Sequence, residues 1–189
     1  MSTIKAVIVD FDGTLVDTFE ANFCAYRDAF YKNGLELQES FYRNCFGLKF
    51  SDFMTAAGVM DDNIRSLIRE EKKKVYPSYF KFVKVNETLS LFVKKIRSTG
   101  TLAAVASTSS KENLLNLLKY IHMDEAFDLI LSGESVSKGK PSPEVYFKAF
   151  SELGITPDQA LVFEDSPFGI AAAEASGAAV IQITKEFFT

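Results

Sequence analysis

Val7-Ile8-Val9-Asp10-Phe11-Asp12-Gly13-Thr14-Leu15-Val16-Asp17 is a near-continuous apolar run that ends in two carboxylates spaced i and i+2, followed by a Gly-Thr pair that turns the chain. A strand buried on both faces of a parallel sheet reads as such a run, and open α/β sheets bind ligands at the carboxyl ends of their strands. Asp10 and Asp12 therefore stand where chemistry is expected, although a strand end followed by an ordinary Asp-Gly turn has the same look.

Outward from this run, residues 4–9 read as the first strand, rich in β-branched side chains. Residues 18–85 change character. Phe19, Phe23, Tyr26 and Phe30 recur at helical spacing up to the stop signal Asn33-Gly34, and helical pieces follow at 38–45, 51–57 and 61–79, with Gly47 and Gly58 as breaks and Pro77 closing the last. The segment reads as an all-helical insert whose aromatic stripe is its own packing core. Lys72-Lys73-Lys74, just after Glu70 and Glu71, reads as a solvated helix face.

From Asn86 the chain alternates helix and strand. A helix over 87–98 precedes the apolar strand 102–106, which runs into Ser107-Thr108-Ser109-Ser110. Ser109 and Glu112 form an S-x-x-E capping box, which predicts a helix from there to about Tyr120. Strands at 127–132, 160–163 and 179–183 follow, with helices starting at Ser142-Pro143 and covering 169–176. The expected fold is a doubly wound parallel α/β sheet, Rossmann-like, with an inserted helical unit: a core of 1–17 and 86–189 and an insert of 18–85.

Composition narrows the function. The 189 residues are 47% hydrophobic and 24% charged, typical of a globular domain, and the net charge of −4 gives no footprint for nucleic acid. Cys24, Cys45 and the single His122 leave no inventory for a zinc site or a Ser-His or Cys-His nucleophile, and His122 reads as a surface or helix-end residue. No segment approaches the roughly 18 apolar residues of a membrane span, so the expected setting is the cytoplasm with no membrane partner.

Three strand ends carry polar groups in strands that are otherwise apolar: Asp10 with Asp12, Ser107 with Thr108, and Glu164 with Asp165. Lys140 precedes a helix on a further loop. Parallel strands place these ends on one edge. Carboxylates crowded there repel unless a cation neutralises them, and oxygen-only ligands favour Mg²⁺ over zinc. A bridged phosphoryl group would find donors in Ser107 and Lys140, one carboxylate could attack phosphorus, and a second could move the proton. A structural metal site would use the same carboxylates, but Lys140 and the serine turn fit phosphoryl transfer better.

Asp10-Phe11-Asp12-Gly13-Thr14, Ser107 after its strand, Lys140-Pro141-Ser142-Pro143 and Glu164-Asp165-Ser166-Pro167-Phe168-Gly169-Ile170 resemble, in order, the four motifs of the haloacid dehalogenase-like superfamily. The insert resembles the small helical cap of its phosphoglycolate phosphatase and β-phosphoglucomutase branch. The resemblance implies Asp10 as nucleophile and Mg²⁺ ligand, Asp12 as acid/base lending its backbone carbonyl to the metal, and Ser107, Thr108 and Lys140 as phosphate binders. It implies Asp165 as a metal ligand, Glu164 as an additional one, and Thr14 as support for the turn. Keeping Asp12 disfavours dehalogenation and C–P cleavage. The mutases' cap histidine and arginine have no counterpart around Asn22 or in Gly47-Leu48-Lys49-Phe50, so hydrolysis of a small phosphate ester is expected over a phosphomutase or a non-catalytic phosphate-binding module. Asn22, Lys49 and residues near Tyr76 are the cap candidates for substrate contact, and a monomer is the favoured state. The terminal Phe187 and Phe188 need cover from the sheet's flank or a partner.

Overall fold

The structure, a computed structural model, describes residues 3–188. Strand β1 (Ala6–Val9) is buried at every residue because it lies at the centre of the sheet. It pairs in parallel with β4 (Leu102–Ala106) on one side and β6 (Ala160–Glu164) on the other, and β5 (Leu129–Leu131) and β7 (Ala179–Gln182) complete the order β5-β4-β1-β6-β7. The chain winds outward in both directions from β1, which makes the end of β1 the switch point where a doubly wound sheet opens a crevice.

Successive side chains leave the sheet on opposite faces. Val7 and Val9 join one apolar cluster with Val105, Leu89, Val93, Leu114 and Leu117, under α5 (Glu87–Arg97) and α6 (Lys111–Tyr120). Ile8 joins a second with Ala104, Val162, Tyr146 and Ala172, under α7 (Glu144–Leu153) and α8 (Pro167–Ala175). Each such valine or isoleucine contributes roughly 1.5–3 kcal/mol of gross hydrophobic stabilisation, and together they hold the strand ends in register. Val9 sits opposite both Val105 and Phe163, so Asp10 and Glu164 emerge level with each other and Ser107 one residue beyond on the neighbouring strand.

The chain leaves this sheet through β2 (Val16–Asp17) and returns through β3 (Lys84–Val85), a short antiparallel ribbon. Between them lie α1 (Phe19–Lys32), α2 (Glu39–Cys45), α3 (Phe50–Ala56), α4 (Asp62–Val75) and a 3₁₀ turn, Tyr76–Phe82. Their aromatic side chains do form a separate core. Phe30, Tyr42, Phe53, Met54 and Ile68 are buried together, with the Tyr42 and Phe53 rings edge to face at 5.3 Å.

Several local expectations are corrected. The helix foreseen over 61–79 stops at Val75, and Pro77 opens the 3₁₀ turn rather than ending the helix, because its ring nitrogen has no hydrogen to donate in an early turn position. Helix α6 is capped by Ser110, whose Oγ accepts from Asn113 N at 3.4 Å, not by Ser109. The S-x-x-E box does not form because Ser109 turns its hydroxyl to Asp12 while Glu112 pairs with Lys73. Pro143 is the cap of α7 rather than its first helical residue. The lysine run is not uniformly solvated: Lys74 is exposed, whereas Lys72 is 4% exposed, because α4 repeats its inward positions at Ile64, Ile68 and Lys72. His122 is an exposed residue just past α6, in the left-handed region. Phe188 is buried in a terminal 3₁₀ turn that lies against α5, and Phe187 remains half exposed. Among the described residues no helix is long and apolar enough to cross a membrane.

Candidate active site

Asp10 continues β1, its N–H donating to Phe163 O at 2.9 Å, and its carboxylate is almost fully buried at the sheet's edge. Lys140, from the loop before α7, reaches it with Nζ 2.5 Å from Oδ1. The same ammonium donates to Glu164 Oε1 and to Ala106 O, so one buried cation stitches together the ends of β1, β4 and β6. Burial pulls Lys140 toward neutrality, but Asp10 and Glu164 outweigh it and hold it charged. Burial, with the Glu164 charge beside it, pushes the Asp10 carboxyl upward, and Lys140 opposes that push.

Asp12 is caged by donors. Its Oδ1 accepts from Thr18 Oγ1 at 2.5 Å and Asn22 Nδ2 at 3.5 Å, and its Oδ2 from Ser107 Oγ at 3.1 Å and Ser109 Oγ at 2.7 Å. Four donors from two separate segments, the start of α1 and the loop after β4, fix the direction of a single carboxylate. The backbone between the two aspartates and Thr14 demands a glycine twice over. Gly13 has φ 99°, and a Cβ there would lie 2.2 Å from Asp165 Oδ2.

Asp165 follows β6. Thr14, fully buried, donates to its Oδ1 at 2.9 Å and so aims it at Asp10. Burial, with the Glu164 charge adding to it, raises the Asp165 carboxyl to about 6. Ligand oxygens of Asp10, Glu164 and Asp165 all lie within 4.8 Å of one another. Glu164 Oε1 accepts from Lys140 and from Tyr146 Oη at 2.6 Å, whereas its Oε2, fully buried, has no hydrogen-bond partner among the described residues. An orphaned carboxylate oxygen beside two further carboxylates is a donor set suited to a hard divalent cation.

Over this edge the helical segment closes a chamber of about 400 Å³ bounded by Asp12 on the sheet side and by α1, α3 and α4 above. Asn22, buried, donates to Asp12, and the Tyr76 hydroxyl engages Asn22 and Thr18 behind it. Lys49 and Thr108 reach the chamber wall, but both are engaged between the two parts of the molecule. Lys49 Nζ donates to Val136 O at 3.0 Å and Ser137 O at 3.3 Å, and Thr108 Oγ1 to Gly47 O at 3.1 Å. Sequence reasoning missed Ser109, Thr18, Tyr146 and Lys72. For Lys72 a signal existed, since it stands four residues after Ile68 on the inward stripe of α4.

A family model described as haloacid dehalogenase-like hydrolase matches residues 7–183, nearly the whole chain. The chain belongs to that family. This haloacid dehalogenase-like hydrolase is 30% identical, over 180 residues covering 92% of it and 82% of the relative, to the phosphorylated carbohydrates phosphatase of Thermotoga maritima. It is 25% identical to the pyrophosphatase PpaX of Bacillus cereus, across 92% of its length and 80% of that protein's. The crystal structure of CbbY from Rhodobacter sphaeroides in complex with phosphate superposes with a TM-score of 0.86 at 26% identity, covering 98% of this chain and 88% of that one.

Proposed function

We propose that this hydrolase cleaves small phosphate monoesters, sugar phosphates or phosphoglycolate-like acids, with Mg²⁺ and through an aspartyl phosphate on Asp10. The observation that carries the reading is the pairing of roles at one strand end. Asp10 is held against a lysine that stays charged, and Asp12, two residues on, faces the chamber with its carboxylate aimed by four donors.

Asp10, Glu164, Asp165 and the Asp12 carbonyl would hold the magnesium, which supplies charge neutralisation for the phosphoryl oxygens. The Asp10 carboxylate attacks phosphorus, the ester P–O bond breaks, and Asp12 gives its proton to the departing oxygen. Asp12 then takes a proton from water, whose oxygen attacks phosphorus, releases phosphate and restores the Asp10 carboxylate. Lys140 and Ser107 hold the transferring oxygens. To do so, Ser107 must leave Asp12 Oδ2, so substrate binding frees the acid/base from part of its cage. Thr108 and Lys49 act by holding residues 18–85, the cap, against the core 1–17 and 86–189, and Asn22 sets the face of Asp12 that meets the leaving group. The phosphatase names of the relatives and the phosphate held by CbbY support the same reaction class.

Phosphate release from sugar phosphates, phosphoglycolate, nucleotides and an aryl phosphate, with and without Mg²⁺, tests the reading, together with conversion of glucose 1-phosphate to glucose 6-phosphate. The expected result is release that depends on Mg²⁺ and is restored when the ion is returned after chelation. Isomerisation without net release would assign a phosphomutase of the β-phosphoglucomutase type instead.

A further inference from the structure

An ammonium has three N–H donors, and those of Lys140 are all engaged, with Asp10 Oδ1 at 2.5 Å, Ala106 O at 3.1 Å and Glu164 Oε1. The proposed reaction needs the same ammonium on a transferring oxygen, so one of the three bonds is given up when a phosphoryl group arrives. What each acceptor keeps afterwards decides which one. Asp10 and Ala106 O hold Lys140 at the reacting end, and a buried carboxylate oxygen stripped of its donor costs its full desolvation penalty. Glu164 Oε1 has a second donor, the Tyr146 hydroxyl at 2.6 Å, so its bond to Lys140 can be released without leaving it bare.

Tyr146 is fully buried in α7 and belongs to the apolar cluster of Ile8, Ala104 and Val162, which fixes its ring against the sheet. Lys140 Nζ lies 5.5 Å from the ring centroid, so the ring stands beside the ammonium as well as beside its acceptor. Burial raises the Tyr146 hydroxyl well above the ordinary tyrosine range, which keeps it a donor. Glu164 is equally confined. A Cβ at Gly169 would lie 2.1 Å from its Oε2, an oxygen with no hydrogen-bond partner among the described residues, so the carboxylate is pressed against α8 with no room to seek another donor. A phenylalanine ring would fill the same space in the cluster. Packing therefore accounts for the ring of Tyr146 and not for its hydroxyl.

We propose that Tyr146 is a positioning residue for Lys140: its hydroxyl holds Glu164 while the ammonium turns from Glu164 to the phosphoryl group. With the hydroxyl present, moving one Lys140 donor to a phosphoryl oxygen leaves Glu164 Oε1 with one hydrogen bond. Without it, both oxygens of a fully buried carboxylate would be bare, so Lys140 stays on Glu164 and the phosphoryl group is held less tightly. Tyr146 thus acts on the substrate only through Lys140. This role deepens the phosphatase reading and rests on it for the arrival of a phosphoryl group beside Asp10.

Two calorimetric titrations of the full-length chain test the role without turnover: Mg²⁺ alone, and inorganic phosphate in the presence of Mg²⁺. Tyr146→Phe should weaken phosphate binding by about tenfold while changing the affinity for Mg²⁺ alone less than about twofold, because without phosphate Lys140 still serves Glu164. A merely structural role would weaken both. In a Glu164→Gln background, where a neutral amide competes weakly for the ammonium, adding Tyr146→Phe should change phosphate binding by no more than about twofold. Unchanged phosphate affinity in Tyr146→Phe, equal weakening of Mg²⁺ and phosphate, the full tenfold loss in the Glu164→Gln background, or no phosphate binding by the unmodified chain would each overturn the role. Failure of the phosphatase reading would show separately, as absence of Mg²⁺-dependent phosphate release from esters by the unmodified chain.

Discussion

Lys72, its ammonium 3.5 Å from the Tyr76 ring centroid and 5.1 Å from that of Tyr26, is buried at a cost to stability. Its folded pKa of about 7 lies below the ordinary 10.5, so the folded state penalises the charged form. That penalty is complete below about pH 7 and disappears as pH rises toward 10.5, where the unfolded chain also loses the proton. Lys72→Met should therefore stabilise the ligand-free protein by about 1–3 kcal/mol at pH 6, allowing for the lost contacts with Tyr26 and Tyr76. Thermal melts at pH 6 and pH 9.5 check it: the gain in Tm should be larger at pH 6, and a Tm that falls at both pH values would show the ammonium to be structural. At the same scale, Asp10, Asp12, Lys140 and Asp165 were legible in the sequence because two-residue spacing and strand ends are local patterns. Ser109 was not, since its spacing to Glu112 obeys a capping rule while its hydroxyl answers a carboxylate 97 positions away. The inward turn of Lys72 was signalled by its place four residues after Ile68, but the charges around it masked that spacing.

Among the elements, α8 shows how a helix can be shaped by the residue beneath it. Glu164 ends β6, and its carboxylate passes so close to Gly169 that a Cβ there would lie 2.1 Å from Oε2. In an ordinary helix Gly→Ala gains up to about 1 kcal/mol. Here the sign reverses: Gly169→Ala should cost about 2–4 kcal/mol or displace Glu164 from Lys140, because neither the buried carboxylate nor the strand has room to move. Urea unfolding of the variant measures the loss, and unchanged stability would mean that α8 shifts freely. The sheet and its helices were readable from periodicity, while the split of α4 from the 3₁₀ turn at Tyr76 was not. Helical spacing continues through Val75 and Tyr76, and the change of winding comes at Pro77, where the chain packs against α1 and α6.

For the molecule as a whole, the polar links that join the helical segment to the sheet domain around the chamber include Lys49 to the carbonyls of Val136 and Ser137, Thr108 to the carbonyl of Gly47, Lys73 to Glu112, and Thr18 and Asn22 to Asp12. The β2–β3 ribbon is the route by which the chain passes between the two parts. Closure that depends on so few links is adjustable. Lys49→Met removes a charge-assisted contact and should shift the balance toward an open form by roughly 1–2 kcal/mol, seen as about tenfold faster proteolysis near residues 84–85 and as a raised KM with kcat maintained. Proteolysis at the unmodified rate would show that the link does not govern closure. The arrangement of a sheet with a helical insert was legible from the break in rhythm after Asp17 and its return at Asn86, whereas links such as Lys49 to Val136 O and Thr108 to Gly47 O were not, since each joins a side chain to a carbonyl more than sixty positions away.

On the proposed mechanism Asp10 itself carries the phosphoryl group. Turnover by Asp10→Asn, measured beside the unmodified chain on its best ester with Mg²⁺, tests it most directly, with intact mass of acid-quenched protein as a second readout. Asp10→Asn should lose about 10³-fold or more in turnover at unchanged Tm, and only the unmodified chain should gain the mass of one phosphoryl group. Full turnover by Asp10→Asn would contradict it.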